Sequence, residues 1–140
     1  MINIEIPKHS GELSIDQYKE CPVEPGIYAF YSKEGELLYI GKAHSIITRV
    51  KDHIRGYSGS NITEIIHNVA HIRYWFISDA VDRDIYETYM INKLQPPWNC
   101  EKVYTYKTSR YDDIWLTDEQ LHKRTEIKKE NDQVYLNLNL

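Results

Sequence analysis

The sequence has few cysteines, no long apolar run and no excess of basic residues. Only two cysteines occur in 140 residues, Cys21 and Cys100, and neither belongs to a metal-ligand spacing. We therefore expect two reduced thiols and no disulfide framework. No apolar stretch approaches the ~20 residues needed to cross a bilayer, and residues 1–5 do not resemble a secretory signal. These absences predict a cytoplasmic protein that does not bind membranes.

The net charge of −4 argues against a protein that coats nucleic acid without specificity. Such affinity comes from Lys and Arg side chains that displace counterions. The basic residues are nevertheless clustered, because residues 42–55 contain Asp52 as their only acidic residue. The basic side chains of this patch are Lys42, Arg49, Lys51 and Arg55. The patch is compatible with nucleic acid as a substrate.

Hydrophobic periodicity and capping residues predict one α+β domain. A hairpin is expected with strands at residues 27–31 and 37–40, and a further strand at residues 71–77. Helices are expected from Ser14 to about Glu20, from Ser45 to about Arg55, from Asn61 to Val69, and from Asp79 to about Gln95. Together these elements predict a small three-stranded antiparallel sheet flanked by helices.

The domain is expected at residues 22–101, after an irregular lead-in at residues 1–21. Residues 102–140 are expected to form a short α/β extension packed on the same domain. This extension is predicted to contain a strand at Val103–Tyr106, a helix from Thr117, and a closing strand at Val134–Leu140.

Three segments of the chain resemble one known family. The hairpin "GIYAFYSKEGELLYIG" is similar to the defining motif of the GIY-YIG nuclease superfamily, including the spacing of its halves. The following "YIGKAHSIITRVKDH" and the later "DIYETYMINKLQPPWNCE" resemble the family's basic helix and metal-binding helix. The resemblance covers about residues 22–101. It implies a metal-dependent endonuclease that hydrolyses DNA phosphodiester bonds, with RNA as a substrate not excluded.

The resemblance implies a catalytic role for two tyrosines and two cations. Tyr28 and Tyr39 are expected on adjacent strands, and one of them would be the general base. A free tyrosine has a pKa near ~10, so nearby positive charge is needed to favour the phenolate. Lys42 and Arg49 would supply that charge. The close spacing of Tyr39 and Lys42 slightly favours Tyr39 as the base.

His53, Glu87 and Asn99 complete the expected catalytic set. His53 lies four residues after Arg49 and is interpreted as an assistant in proton transfer or phosphate contact, with a surface histidine as the alternative. Glu87 is expected on a partly buried helix face and would bind Mg²⁺ or Mn²⁺; the alternative is a salt bridge with Arg83. Asn99 would orient water or backbone near the site, unless it is a plain turn residue.

Substrate contacts are expected from Lys42, Arg49, Lys51, Arg55 and Tyr57. A catalytically weak or inactive module that binds nucleic acid or a protein partner is the alternative function. Pairing of residues 135–140 with a second copy would give a homodimer.

Overall fold

The computed structural model describes residues 1–108, 126–127 and 129–134. Its strands are β1 (Gly11–Ser14), β2 (Gly26–Ser32), β3 (Leu37–Ala43) and β4 (Val69–Phe76). Helix α1 spans Ile46–Arg55 and helix α2 spans Ala80–Leu94, while two 3-10 helices span Ile15–Glu20 and Asn61–Asn68. Residues 126–127 and 129–134 are also helical. The predicted α+β class is confirmed.

Within the described residues the sheet has four strands in the order β1-β4-β2-β3, and every neighbouring pair is antiparallel. The prediction of three strands is therefore wrong by one. The extra strand, β1, comes from the segment expected to be an irregular lead-in, and Gly11 pairs with Tyr74 of β4. Tyr18 and Cys21 of the same segment are buried in the core. Residues 11–21 thus form part of the domain.

Alternating side chains of β2 separate the core into two layers, because successive residues of a strand point to opposite faces. Tyr28 and Phe30 pack in the cluster that contains residues of α1 and of the second 3-10 helix. Ile27 and Ala29 pack in the other cluster, with Met90 of α2. Because β3 is an edge strand, groups from both layers can meet beside it.

The glycines of the paired motifs allow the hairpin to pack closely. Gly41 is opposite Tyr28 in the β2–β3 register, and a Cβ atom on Gly41 would collide with the Tyr28 phenol. A Cβ atom on Gly26 would collide with the backbone carbonyl of Trp75. Both positions require glycine because another chain segment occupies the side-chain space.

Described residues of the C-terminal segment contact α2 and the second 3-10 helix, but residues 103–106 do not form the predicted strand. The Asn92 side-chain carbonyl accepts hydrogen bonds from the backbone N–H groups of Tyr104 and Thr105, at 2.7 and 3.0 Å. These bonds hold the segment as a loop and replace strand pairing. Asn131 donates to the Thr63 carbonyl.

Most of the remaining C-terminal predictions lie outside the described residues. These are the start of the helix at Thr117 and the strand at Val134–Leu140, of which Val134 alone is described and is helical. In the described part of the chain, no helix has the length and apolar character required to span a membrane.

Candidate active site

A cavity of about 300 Å³ opens beside the edge strand β3. Its walls come from β2, β3, α1, α2 and the two loops at residues 58–61 and 98–102. Six of the seven predicted catalytic residues line it: Tyr28, Tyr39, Lys42, Arg49, Glu87 and Asn99. Residues separated by about seventy positions in sequence therefore face one space. The seventh, His53, lies directly behind Tyr28.

Tyr28 and His53 form a buried hydrogen-bonded pair. The Tyr28 hydroxyl is 2.5 Å from His53 Nε2, and both side chains are almost completely inaccessible to solvent. Burial, together with the nearby Arg49 charge, lowers the pKa of His53 to about 3. His53 is therefore neutral at physiological pH, and its alternative interpretation as a surface histidine is wrong.

The hydrogen bonds continue from His53 into the loop after α1. His53 Nδ1 is 2.8 Å from Ser58 Oγ, which in turn is 3.1 Å from Thr63 Oγ1. A neutral imidazole has one N–H donor and one nitrogen acceptor, and each hydroxyl can both donate and accept. If the donor and acceptor exchange roles in all three bonds together, the Tyr28 hydroxyl changes from donating to His53 Nε2 to accepting from it. The residues thus form a relay that holds the Tyr28 hydroxyl in place.

Tyr39 is the more accessible of the two phenols. It is half-buried, and its hydroxyl lies 3.4 Å from Ser60 Oγ. Burial raises its pKa, whereas the Ser60 hydrogen bond and the Arg49 charge work in the opposite direction. Burial also raises the pKa of Tyr28, with a further increase from Tyr39. Both phenols are consequently protonated near neutral pH.

Four charged side chains form a continuous network at the mouth of the cavity. Lys42 Nζ is 2.8 Å from Asp84 Oδ1, and the same carboxylate oxygen contacts Lys102 Nζ. Lys102 Nζ is also 2.8 Å from Glu87 Oε1. Hydrogen bonds from Lys102 and Lys42 lower the pKa of Asp84 to about 2. Partial burial lowers the pKa of Lys102, but its bonds to Asp84 and Glu87 outweigh this and raise it.

Glu87 is buried, with 7% of its surface exposed, and lines the cavity. Its predicted alternative, a salt bridge with Arg83, is not present among the described residues. Arg83 instead donates to the carbonyls of Ile77 and Ser78, at 3.1 and 3.2 Å. A carboxylate in this position requires a positive partner, because a buried charge is costly unless it is compensated.

The site fits a hard divalent cation that keeps part of its water shell. Glu87 supplies a carboxylate oxygen, and the ammonium of Lys102 marks a place where positive charge is stabilised. Among the described residues there is no group of three or more His, Cys, Asp or Glu that could enclose a metal. Mg²⁺ tolerates this, because it commonly binds through one or two carboxylates and retains several waters.

Asn99 fixes the backbone of β3 beside the cavity. Its Oδ1 accepts from the Ile40 N–H at 3.0 Å, and its Nδ2 donates to the Ile40 carbonyl at 2.8 Å. The side chain is buried and bonds the backbone as a neighbouring strand would. Asn99 therefore positions the segment that contains Tyr39 and Lys42.

The structure does not bring the other predicted substrate-contact residues into the cavity. Lys51, Arg55 and Tyr57 do not line it, and Tyr57 is exposed to solvent on the loop after α1. Their role in substrate contact stays a prediction for the outer surface.

Sequence reasoning misses Ser58, Ser60, Asp84 and Lys102. The position of Asp84 near the start of α2 indicates a residue that favours the helix dipole, but its carboxylate makes ion pairs at the site. The signal that could identify Asp84 is its position three residues before Glu87, on the same helix face.

A family model for the UvrC-like GIY-YIG domain matches residues 24–100. The uncharacterized protein YurQ of Bacillus subtilis is 35% identical over 82 residues, which cover 56% of this chain and 63% of YurQ. The UvrABC system protein C of Nautilia profundicola is 31% identical over 102 residues, which cover 65% of this chain and 17% of that protein. The chain therefore spans less than two thirds of these relatives.

The fold is also similar to that of a solved nuclease domain. The GIY-YIG N-terminal endonuclease domain of UvrC from Thermotoga maritima, bound to its catalytic divalent cation magnesium, has a TM-score of 0.53 and 25% sequence identity. The match covers 60% of this chain and 92% of that domain. The family model spans more than half of the chain, and the site contains the residues of the paired motifs in one cavity. The chain belongs to the family of UvrC-like GIY-YIG domains.

Proposed function

We propose that this chain is a divalent-cation-dependent endonuclease that hydrolyses DNA phosphodiester bonds. The observation that supports this most strongly is the cavity in which phenols, cationic groups and a buried carboxylate meet. Phosphodiester hydrolysis needs an activated water, stabilisation of the charge that builds on the phosphate, and help for the leaving oxygen. The cavity contains a side chain suited to each of these tasks.

Tyr39 is proposed as the general base. The Tyr39 side chain is half-buried and lines the cavity, whereas the Tyr28 hydroxyl is held by His53 at 2.5 Å. Because the raised pKa of Tyr39 results mainly from burial, added positive charge in the cavity would lower it. Tyr28 would keep its proton in the His53 relay and bind the attacking water or a phosphate oxygen.

Arg49 and Lys42 are proposed to stabilise the phosphate. Arg49 lines the cavity near both phenols, and its planar fork can bind two phosphate oxygens at once. Lys42 is a compact charge on a flexible stem and can exchange Asp84 for a phosphate oxygen, because this ion pair is exposed. Together the two cations would offset the charge of the transition state.

Glu87 is proposed to hold the divalent cation, Mg²⁺ or Mn²⁺. When bound, such an ion supplies Lewis-acid stabilisation of the phosphate and of the leaving oxygen. The UvrC domain of similar fold binds its catalytic divalent cation, which supports the same requirement here. Glu87 is buried at the cavity wall and would fix the cation beside Arg49 and the phenols.

Cleavage of supercoiled plasmid tests this proposal. The purified chain should nick DNA in the presence of Mg²⁺ or Mn²⁺ and should not do so with EDTA. Glu87→Gln keeps the size of the side chain but removes its charge, so we expect at least a hundredfold slower nicking with unchanged circular dichroism. Glu36→Gln, an exposed change on the β2–β3 turn, is the matched control and should retain full activity.

The outcomes separate the candidate functions. Equal nicking by Glu87→Gln and by the parent chain would contradict the metal assignment. Salt-dependent DNA binding without cleavage, under all metal conditions, would instead favour a non-catalytic binding module. A parallel assay on single-stranded and double-stranded RNA determines whether the substrate class is restricted to DNA.

A further inference from the structure

Lys102 lies after the paired motifs and contacts the carboxylate on which the proposed metal site depends. Its Nζ is 2.8 Å from Glu87 Oε1 and also bonds Asp84 Oδ1. About a quarter of the Lys102 side chain is exposed, whereas the Glu87 side chain is almost fully enclosed. The ammonium therefore fills the positive position beside the buried carboxylate.

The backbone at Lys102 indicates that this placement is enforced by the surroundings. Its φ of 61° lies in the left-handed region, which is uncommon for a residue other than glycine, asparagine or aspartate. The Asn92 side chain donates to the Lys102 carbonyl at 2.8 Å and so fixes the residue on α2. The two carboxylates then hold its ammonium from the same helix, three residues apart.

We propose, resting on the proposed function above, that Lys102 is a resident counter-ion that competes with the divalent cation for Glu87. A divalent cation at the enclosed Glu87 carboxylate would bring two positive charges to the position that the Lys102 ammonium already occupies, so the cation and the ammonium would repel each other strongly. The cation therefore displaces the ammonium from Glu87, and Asp84 retains the ammonium as its second anchor. In the metal-free chain the same ammonium neutralises Glu87 and stabilises the network of Lys42, Asp84, Lys102 and Glu87.

This exchange also links the metal site to Lys42. Asp84 Oδ1 is shared between Lys42 and Lys102. Once Lys102 has left Glu87, it neutralises Asp84 more fully and weakens the hold of Asp84 on Lys42. Lys42 then turns to the substrate phosphate. Metal binding and phosphate binding are thereby coupled through Lys102 and Asp84, and the coupling is reciprocal.

Calorimetric titration of the full chain with Mn²⁺ tests the competition without an activity assay. Lys102→Met removes the ammonium and keeps an unbranched side chain, so its Mn²⁺ affinity should be about tenfold higher than that of the parent. Lys102→Arg restores a cation and should return the affinity to within about twofold of the parent value. Lys33→Met, on the exposed β2–β3 turn, is the matched control and should not change it. Unchanged or weaker Mn²⁺ binding by Lys102→Met would overturn the proposal.

A second substitution distinguishes failure of this inference from failure of the proposed function. Glu87→Gln, added to Lys102→Met, should abolish the gain in Mn²⁺ affinity, because the cation would lose its carboxylate. If the double variant still binds Mn²⁺ as tightly as Lys102→Met, the cation is held elsewhere and the metal assignment of the proposed function is wrong as well.

The wild-type chain provides a test that does not depend on the folding of any variant. Titration with Mg²⁺, followed by NMR, should shift the Lys102 Cε resonance, because the ammonium loses its Glu87 partner. The midpoint should match that of a calorimetric titration of the same chain with Mg²⁺. The Lys33 Cε resonance should stay constant. A Lys102 signal that does not respond at saturating Mg²⁺ would contradict displacement.

Discussion

The buried, neutral state of His53 predicts a specific loss of stability in acid. The pKa of His53 is lowered by burial and by Arg49 from 6.5 to about 3 in the folded chain. Below pH 6.5 the unfolded chain binds a proton at this residue that the folded chain does not bind. Its contribution to stability is therefore complete above pH 6.5 and is lost as the pH falls from 6.5 toward 3.

The size of the effect follows from the shift. Each pH unit within this window costs about 1.4 kcal/mol, so lowering the pH from 7 to 5 should reduce the free energy of unfolding by about 2 kcal/mol through His53 alone. His53→Gln removes the titration. The variant is expected to be less stable at both pH values, since it loses ring contacts with Tyr28 and Phe30. The variant should, however, lack the loss of about 2 kcal/mol in the free energy of unfolding that protonation of His53 causes between pH 7 and pH 5.

Urea unfolding at pH 7 and pH 5 measures the difference. The parent chain should lose about 2 kcal/mol more than His53→Gln between these values, and the contributions of the other histidines cancel in the comparison. His44→Gln, a change of an exposed histidine, should behave like the parent. If His53→Gln and the parent lose the same free energy, His53 is protonated in the fold without penalty. The neutral relay behind Tyr28 would then be refuted.

Two further substitutions separate chemistry from positioning. Tyr39→Phe should slow metal-dependent cleavage by about 10²–10⁴-fold. Its stability in urea should change little, because the removed hydroxyl makes a long contact of 3.4 Å with Ser60. Single-turnover rates and unfolding curves check this, and a fully active variant would exclude Tyr39 as the base. Asn99→Ala should lower the free energy of unfolding by about 2–4 kcal/mol, because it leaves the Ile40 N–H and carbonyl unpaired. A loss of activity at unchanged stability would instead indicate that Asn99 contacts the substrate directly.

The sequence predicts the elements with strong local signals. The aromatic and branched residues of β2 and β3 and the Asp79 cap of α2 all act over a few neighbouring positions. The fourth strand is not predicted, because Gly11–Ser14 is short and becomes a strand only by pairing with β4, some sixty residues away. The strand predicted at residues 103–106 is wrong because the Asn92 hydrogen bonds override the local strand propensity.

The candidate site divides in the same way. The paired motifs and the spacing of Arg49, Glu87 and Asn99 identify residues that the fold brings to one cavity. Ser58 and Lys102 belong to no sequence motif. Each lies on a loop and acts through a contact with a helix, Ser58 with His53 of α1 and Lys102 with Glu87 of α2. Their contributions depend on the distances to His53 and Glu87, which only the folded chain sets.

The most direct test of the central claim is a crystal structure of Tyr39→Phe with Mn²⁺ and a short DNA duplex. If the site residues converge on one scissile phosphate, a single anomalous peak should mark a Mn²⁺ ion bound by Glu87. A phosphate of the duplex should lie between this ion and the Arg49 and Lys42 side chains. A cation bound away from Glu87, or a duplex docked on another face with the cavity empty, would contradict the account.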